Sequence, residues 1–106
     1  MRIVIKENSR VAQAAARWMK TDNIAIVFGR TIHLWNASKE ELLRNKRWLY
    51  HELMHVRQYK KHGFIGFLFL YLKESLKHGY YNNRFEKEAR EAEESETDTD
   101  ELEIEG

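Results

Sequence analysis

Residues 38 to 62 read SKEELLRNKRWLYHELMHVRQYKKH, and this stretch decides how the rest of the chain is arranged. Ser38 with Glu41 three residues on is a capping box, in which hydroxyl and carboxylate satisfy each other's free backbone amides and open a helix. No proline or glycine follows until Gly63, so one long helix is expected from about Lys39 to Lys61, with Leu42, Leu49, Leu53 and Val56 as its buried stripe. Within it, His51-Glu52-Leu53-Met54-His55 is an HExxH arrangement. Four residues at about 100° each return the chain to within about 40°, so His51 and His55 leave one face about 6 Å apart, where one metal ion touches both. Glu52 lies about 100° around from His51, within reach of a metal-bound water but badly placed as a ligand.

A catalytic zinc takes three protein ligands and keeps a fourth position for water. The pattern HExxHxxGxxH would supply a third histidine, but this chain has Gln58 and Lys61 at its last two positions. His62 stands about 10 Å along the helix axis from His55 and cannot share the ion. The remaining source is a carboxylate from a later helix, and Arg84-Phe85-Glu86-Lys87-Glu88-Ala89 offers Glu86 and Glu88. They flank the apolar face on opposite sides, and periodicity does not choose between them.

Outward from this core, Ile3 to Ile5 reads as a first strand. Asn8 or Ser9 caps a helix from about Arg10 to Lys20, on which Val11, Ala14, Ala15 and Trp18 recur at helical spacing. Ile24 to Phe28 and Thr31 to Trp35 form a hairpin around the Gly29-Arg30 turn. Gly63 to Gly79 encloses a second helix after the long one. Asn82 or Asn83 caps a third, Arg84 to about Glu94, with Phe85, Ala89 and Ala92 inward. The expected fold is α+β: one domain over residues 1–94, with a small sheet of about three strands packed on helices and the metal between the long helix and the third.

Composition sets the remaining bounds. The 106 residues give room for one compact domain, and the absence of cysteine excludes a disulfide scaffold, a thiolate metal site and a cysteine nucleophile. Residues 1–90 carry 18 basic and 8 acidic side chains, a net +10, whereas residues 91–106 carry nine acids and no base, a net −9. Nothing in this demands a nucleic-acid partner. The start MRIVIKEN lacks the apolar core of a signal peptide. The mature chain is therefore expected to begin near Met1 and to be cytoplasmic. The most apolar run, Phe64 to Leu72, is about half the roughly 20 residues a membrane span needs.

HELMH, a spacer of about thirty residues and NRFEKEA with its Glu-x-x-Ala core resemble the gluzincins, metallopeptidases with two histidines and a glutamate on zinc. The short length and strand-helix-hairpin lead-in are similar to the minimal soluble members called minigluzincins. Their catalytic domains resemble those of integral-membrane CAAX prenyl proteases and heat-shock membrane peptidases. The resemblance implies a zinc endopeptidase acting on peptide or protein substrates, with one zinc per chain. By it, His51 and His55 are zinc ligands, Glu52 is general base and acid, and Glu86 is the third ligand, with Glu88 as the alternative. Many relatives carry Asp after the Ala of Glu-x-x-Ala, where this chain has Arg90.

Further expectations concern the cleft and the tail. The oxyanion formed on a carbonyl wants another donor, and Tyr80, Tyr81, His78 and Arg84 lie just before the glutamate helix. Thr31 to Trp35 resembles the edge strand along which such peptidases lay an extended substrate, with His33 facing outward. Glu101 to Glu105 alternates strictly, the period of a strand. The acidic tail, residues 95–106, is expected to add to that same edge, from its own chain or a dimer partner, and hold the enzyme latent. A loose solvated tail is the alternative. The competing function is a non-catalytic, zinc-stabilised module that docks on a partner or a membrane through Phe64 to Leu72.

Overall fold

The computed structural model describes residues 2–95 and 102–105. In chain order its elements are β1 (Arg2–Lys6), α1 (Arg10–Met19), β2 (Ile24–Phe28), β3 (Thr31–Trp35), α2 (Lys39–Arg44), α3 (Lys46–His62), α4 (Phe64–His78), α5 (Arg84–Ala92) and β4 (Glu103–Glu105). The architecture is α+β, a four-stranded mixed sheet with five helices. The strands lie in the order β2-β3-β1-β4; β2 and β3 form an antiparallel hairpin, while β1 runs parallel to both β3 and β4.

Register makes one sheet face apolar. Ile5 pairs with Ile32 and Ile32 with Val27, so three β-branched side chains stand side by side across three strands. With Ile3 and Leu34 they meet Leu42, Leu49, Leu53, Val56, Phe67 and Phe85 from the helices in one buried cluster. The stripe expected on the long helix is thus all buried, as are Phe85, Ala89 and Ala92 of α5.

Four expectations are corrected. First, the long helix is two, because the Asn45 backbone swings to φ −90°, ψ 91° and its side-chain oxygen accepts from the Trp48 amide at 3.2 Å. A short amide side chain offers the backbone a partner outside the helical ladder, and here it starts α3 afresh. Second, α1 buries Ala12 and Ala16, whereas Val11 and Trp18 are 48% and 86% exposed. Ser9 fixes that rotation: its hydroxyl caps Ala12 and meets His33 Nδ1 at 2.8 Å. His33 therefore faces α1 rather than solvent.

Third, β3 is interior and β2 is the edge, because β1 takes the other side of β3. Fourth, the tail supplies a fourth strand, but on β1, at the edge opposite β2. Ile104 pairs with Ile3 there, and Glu103 and Glu105 sit within 3.3 Å and 3.0 Å of the Arg2 guanidinium. Leu102 packs against the core beside this strand, and Glu101 lies outside the described residues.

Two glycines end helices where an L side chain is disfavoured: Gly63 and Gly79, both at φ 79°, close α3 and α4. Asn83 joins α4 to α5. It is fully buried, accepts from the Phe85 amide at 2.8 Å, and donates to the Tyr71 carbonyl at 3.0 Å and to Ser75 Oγ at 2.9 Å.

Candidate metal centre

Leu49, Leu53 and Val56 fasten α3 to the sheet, which turns His51 and His55 toward α5. Phe85, Ala89 and Ala92 fasten α5 from the other side, and the small alanines let the helices approach closely enough for Glu86 to reach both rings. Glu86 Oε1 lies 3.1 Å from His51 Nε2 and 3.2 Å from His55 Nε2. One ligand atom from each residue falls within 4.8 Å of the other two, and among the described residues this is the group that can hold a metal ion. A tetrahedral zinc with bonds near 2.0–2.1 Å sets its ligand atoms about 3.3 Å apart, so two nitrogens and one oxygen at these separations fit it.

The choice left open between two glutamates is resolved by rotation about α5. Glu86 is 3% exposed and converges with the histidines. Glu88, about 200° further round, is exposed and accepts instead from Gln58 Nε2 at 2.9 Å. His62 stacks its ring on Phe67 at 6.3 Å and takes no part.

A supporting layer of side chains was missed in the sequence. His51 Nδ1 meets Glu93 Oε2 at 2.8 Å, and His55 Nδ1 meets Gln58 Oε1 at 2.9 Å. Such partners fix ring orientation and turn each Nε2 toward the shared point. Arg90 turns away from the centre to donate to the Tyr81 carbonyl at 2.6 Å and lie over its ring, and the carboxylate that supports His51 comes from Glu93, one turn further on. Spacing contained the signal, since Glu93 is seven residues from Glu86 and Gln58 three from His55, both helical repeats. Tyr71, on α4, donates its hydroxyl to Glu86 Oε2, and no local pattern announces that contact.

The charges follow from this packing. Burial drives the Glu52 carboxyl up to about 7, even against the two histidines, which favour its ionised form. Burial pulls His51 down, but hydrogen bonds to Glu86 and Glu93 outweigh it and raise the ring to about 9. Burial also opposes ionisation of Glu86, yet hydrogen bonds from His51, His55 and Tyr71 hold its carboxyl far below the usual range. With metal removed by a chelator, a His51 pKa raised above 6.5 contributes stability that is fully present below about pH 6.5 and lost as pH rises through about 9. Glu52 acts in the same direction between about 4.5 and 7. Urea midpoints in chelator are therefore expected to fall from pH 6 to pH 9.5; a flat profile would contradict this charge arrangement.

Beside the centre opens a cleft of about 710 Å³, lined by His51, Glu52 and Tyr80, by Asn45 and Trp48 at the start of α3, and by Ile24 and Ala25 of β2. Among the four donor candidates of the sequence, Tyr80 lines this cleft. Arg84 faces Glu74 and the Phe85 ring, Tyr81 stacks under Arg90, and His78 lies exposed at the end of α4. No helix of the described residues is long and apolar enough to cross a membrane. No protein-family model, curated protein or solved structure matches the chain, so its function has to be read from its own residues.

Proposed function

We propose that the chain is a zinc-dependent endopeptidase of the gluzincin type, with His51, His55 and Glu86 holding one zinc ion and Glu52 as the catalytic base. The observation that supports it most is the pairing of a three-donor cluster with a buried carboxyl that is not one of its donors, both beside an open cleft. In the metal-free protein burial raises that carboxyl toward neutrality, the direction a general base needs. A purely structural zinc site needs a fourth protein ligand and no base.

A zinc ion bound there supplies a Lewis acid that polarises a carbonyl and acidifies water. Glu52 would take a proton from the attacking water as its oxygen bonds to the carbonyl carbon, and return that proton to the amine nitrogen as the C–N bond breaks. The substrate backbone would lie along the edge strand β2, whose first residues, Ile24 and Ala25, line the cleft; main-chain pairing makes side-chain selectivity modest. Tyr80 donates to the carbonyl oxygen as charge builds there. Partial burial, then the charge of Glu86, raises its pKa, so the hydroxyl keeps its proton at neutral pH. Tyr80→Phe is expected to lower kcat by roughly 10- to 100-fold with little change in KM, measured on a fluorogenic peptide.

The proposal is tested by zinc content after loading and desalting, with cleavage of an unfolded protein substrate measured before and after chelation. About one zinc per chain and chelator-sensitive cleavage support it; a protein without zinc overturns it. Latency through the tail has weaker support, because β4 pairs with β1 of its own chain, at the sheet edge remote from β2. Deleting residues 95–106 is expected to lower the thermal midpoint by a few degrees, through the lost strand, and to leave turnover unchanged. A rise in turnover would restore an inhibitory tail.

A further inference from the structure

α4 has two unlike faces. Phe67 is buried and Tyr71 reaches Glu86, so one face belongs to the domain. On the other, Ile65, Phe69, Leu72 and Leu76 are 74%, 67%, 59% and 89% exposed. Their spacing of four, three and four residues draws one line along the helix. Single exposed apolar residues are ordinary, but a contiguous row of four large ones on one helix marks a surface meant to be covered.

Charge decides what covers it. Residues 53–73 contain Arg57, Lys60, Lys61 and Lys73 and not one Asp or Glu. Lys73 and Lys77 run along one side of the apolar row, and Lys60 and Lys61 stand just before its start; all four are exposed. The nearby acid, Glu74, is turned toward Arg84 at 4.0 Å. Phe64, at the head of α4, shares a second cavity with Lys60, while the Arg2 and Arg30 that also line it are paired with Glu103 and Glu105. A second copy of the chain would meet this face across a two-fold axis, and such a contact must be self-complementary. Lysines would then approach lysines with no carboxylate in the segment to receive them. An apolar row with a basic margin instead matches a surface that is oily beneath and anionic at its rim.

We propose that the outer face of α4 docks the protein on anionic lipid bilayers, with the helix lying in the membrane plane. Ile65, Phe69, Leu72 and Leu76 enter the boundary between headgroups and acyl chains, and the lysines meet the headgroups. A 15-residue helix lies in that plane and does not cross. Because Tyr71 projects from the opposite face to Glu86, the metal centre is held about one helix diameter, roughly 10 Å, from the lipid.

The test is co-sedimentation of the full chain with vesicles of phosphatidylcholine alone and of phosphatidylcholine mixed equally with phosphatidylglycerol, and it needs neither zinc nor turnover. The expected result is binding to the mixed vesicles that weakens with salt, and far less binding to the neutral ones. The Leu72→Glu, Leu76→Glu double variant and the Lys73→Glu, Lys77→Glu double variant are each expected to weaken binding by roughly tenfold or more. Both pairs are exposed, and circular dichroism matching the parent verifies their fold. Absence of vesicle binding, equal binding to both vesicle types, or binding untouched by either variant overturns the proposal. So does a solution dimer that the leucine variant splits while the parent ignores vesicles, which would assign the face to a second copy.

Discussion

Glu52→Gln is expected to abolish peptide hydrolysis while the protein still carries about one zinc per chain. The amide keeps the shape of the carboxylate but neither takes a proton from water nor returns one to the leaving amine. Losing a positioned general acid-base costs roughly 10²- to 10⁴-fold, about 3 to 5 kcal/mol of barrier. Glu52 is 5% exposed and is not one of the three converging ligands, so metal content and the far-ultraviolet spectrum should match the parent. A Glu52→Gln protein that retains turnover would assign the base elsewhere.

The second large effect falls on the metal. His55→Ala and Glu86→Ala each leave two of three donors, and zinc retained through desalting is expected to drop from about one per chain to near zero. Both residues are buried, so the apoproteins also lose packing. The informative quantity is therefore the stability each protein gains on adding zinc. At free zinc a thousandfold above Kd, the parent should gain about 4 kcal/mol and the variants almost nothing. Glu93→Gln is the graded companion. It leaves all three ligands but removes the carboxylate 2.8 Å from His51 Nδ1, and zinc affinity should weaken by roughly 10- to 100-fold. Equal zinc-dependent stabilisation in the parent and in His55→Ala would place the metal elsewhere.

Much of this centre was legible before any coordinates, because its two halves are local. HExxH puts two imidazoles on one helix face whatever surrounds it, and the leucines at 42, 49 and 53 announce which side is buried. The cap at Ser38 was readable, and those at Ser9 and Asn83 to within one residue, because the hydroxyl or amide acts within three residues of itself. What escaped was settled at long range. Val11 and Trp18 look like the core face of α1, but closeness to the sheet selects the alanines and leaves the larger side chains outside. The order of β2 and β3 depends on which strand β1 joins, and nothing in either strand states that. Glu86 prevailed over Glu88 through which flank of the Phe85 and Ala89 face is turned to α3, which periodicity alone does not resolve. Asn45 broke a helix that propensity would have carried through.

Asn83 has a mechanical side. With Tyr71 it forms two rigid links between α4 and α5, one from side chain to backbone and one from hydroxyl to carboxylate. α5 is thereby tied to α4 at its cap and at its inward carboxylate, and not through the connecting loop alone. If docking of the outer helix and filling of the centre are coupled through these links, reciprocity requires each to change the other by the same factor.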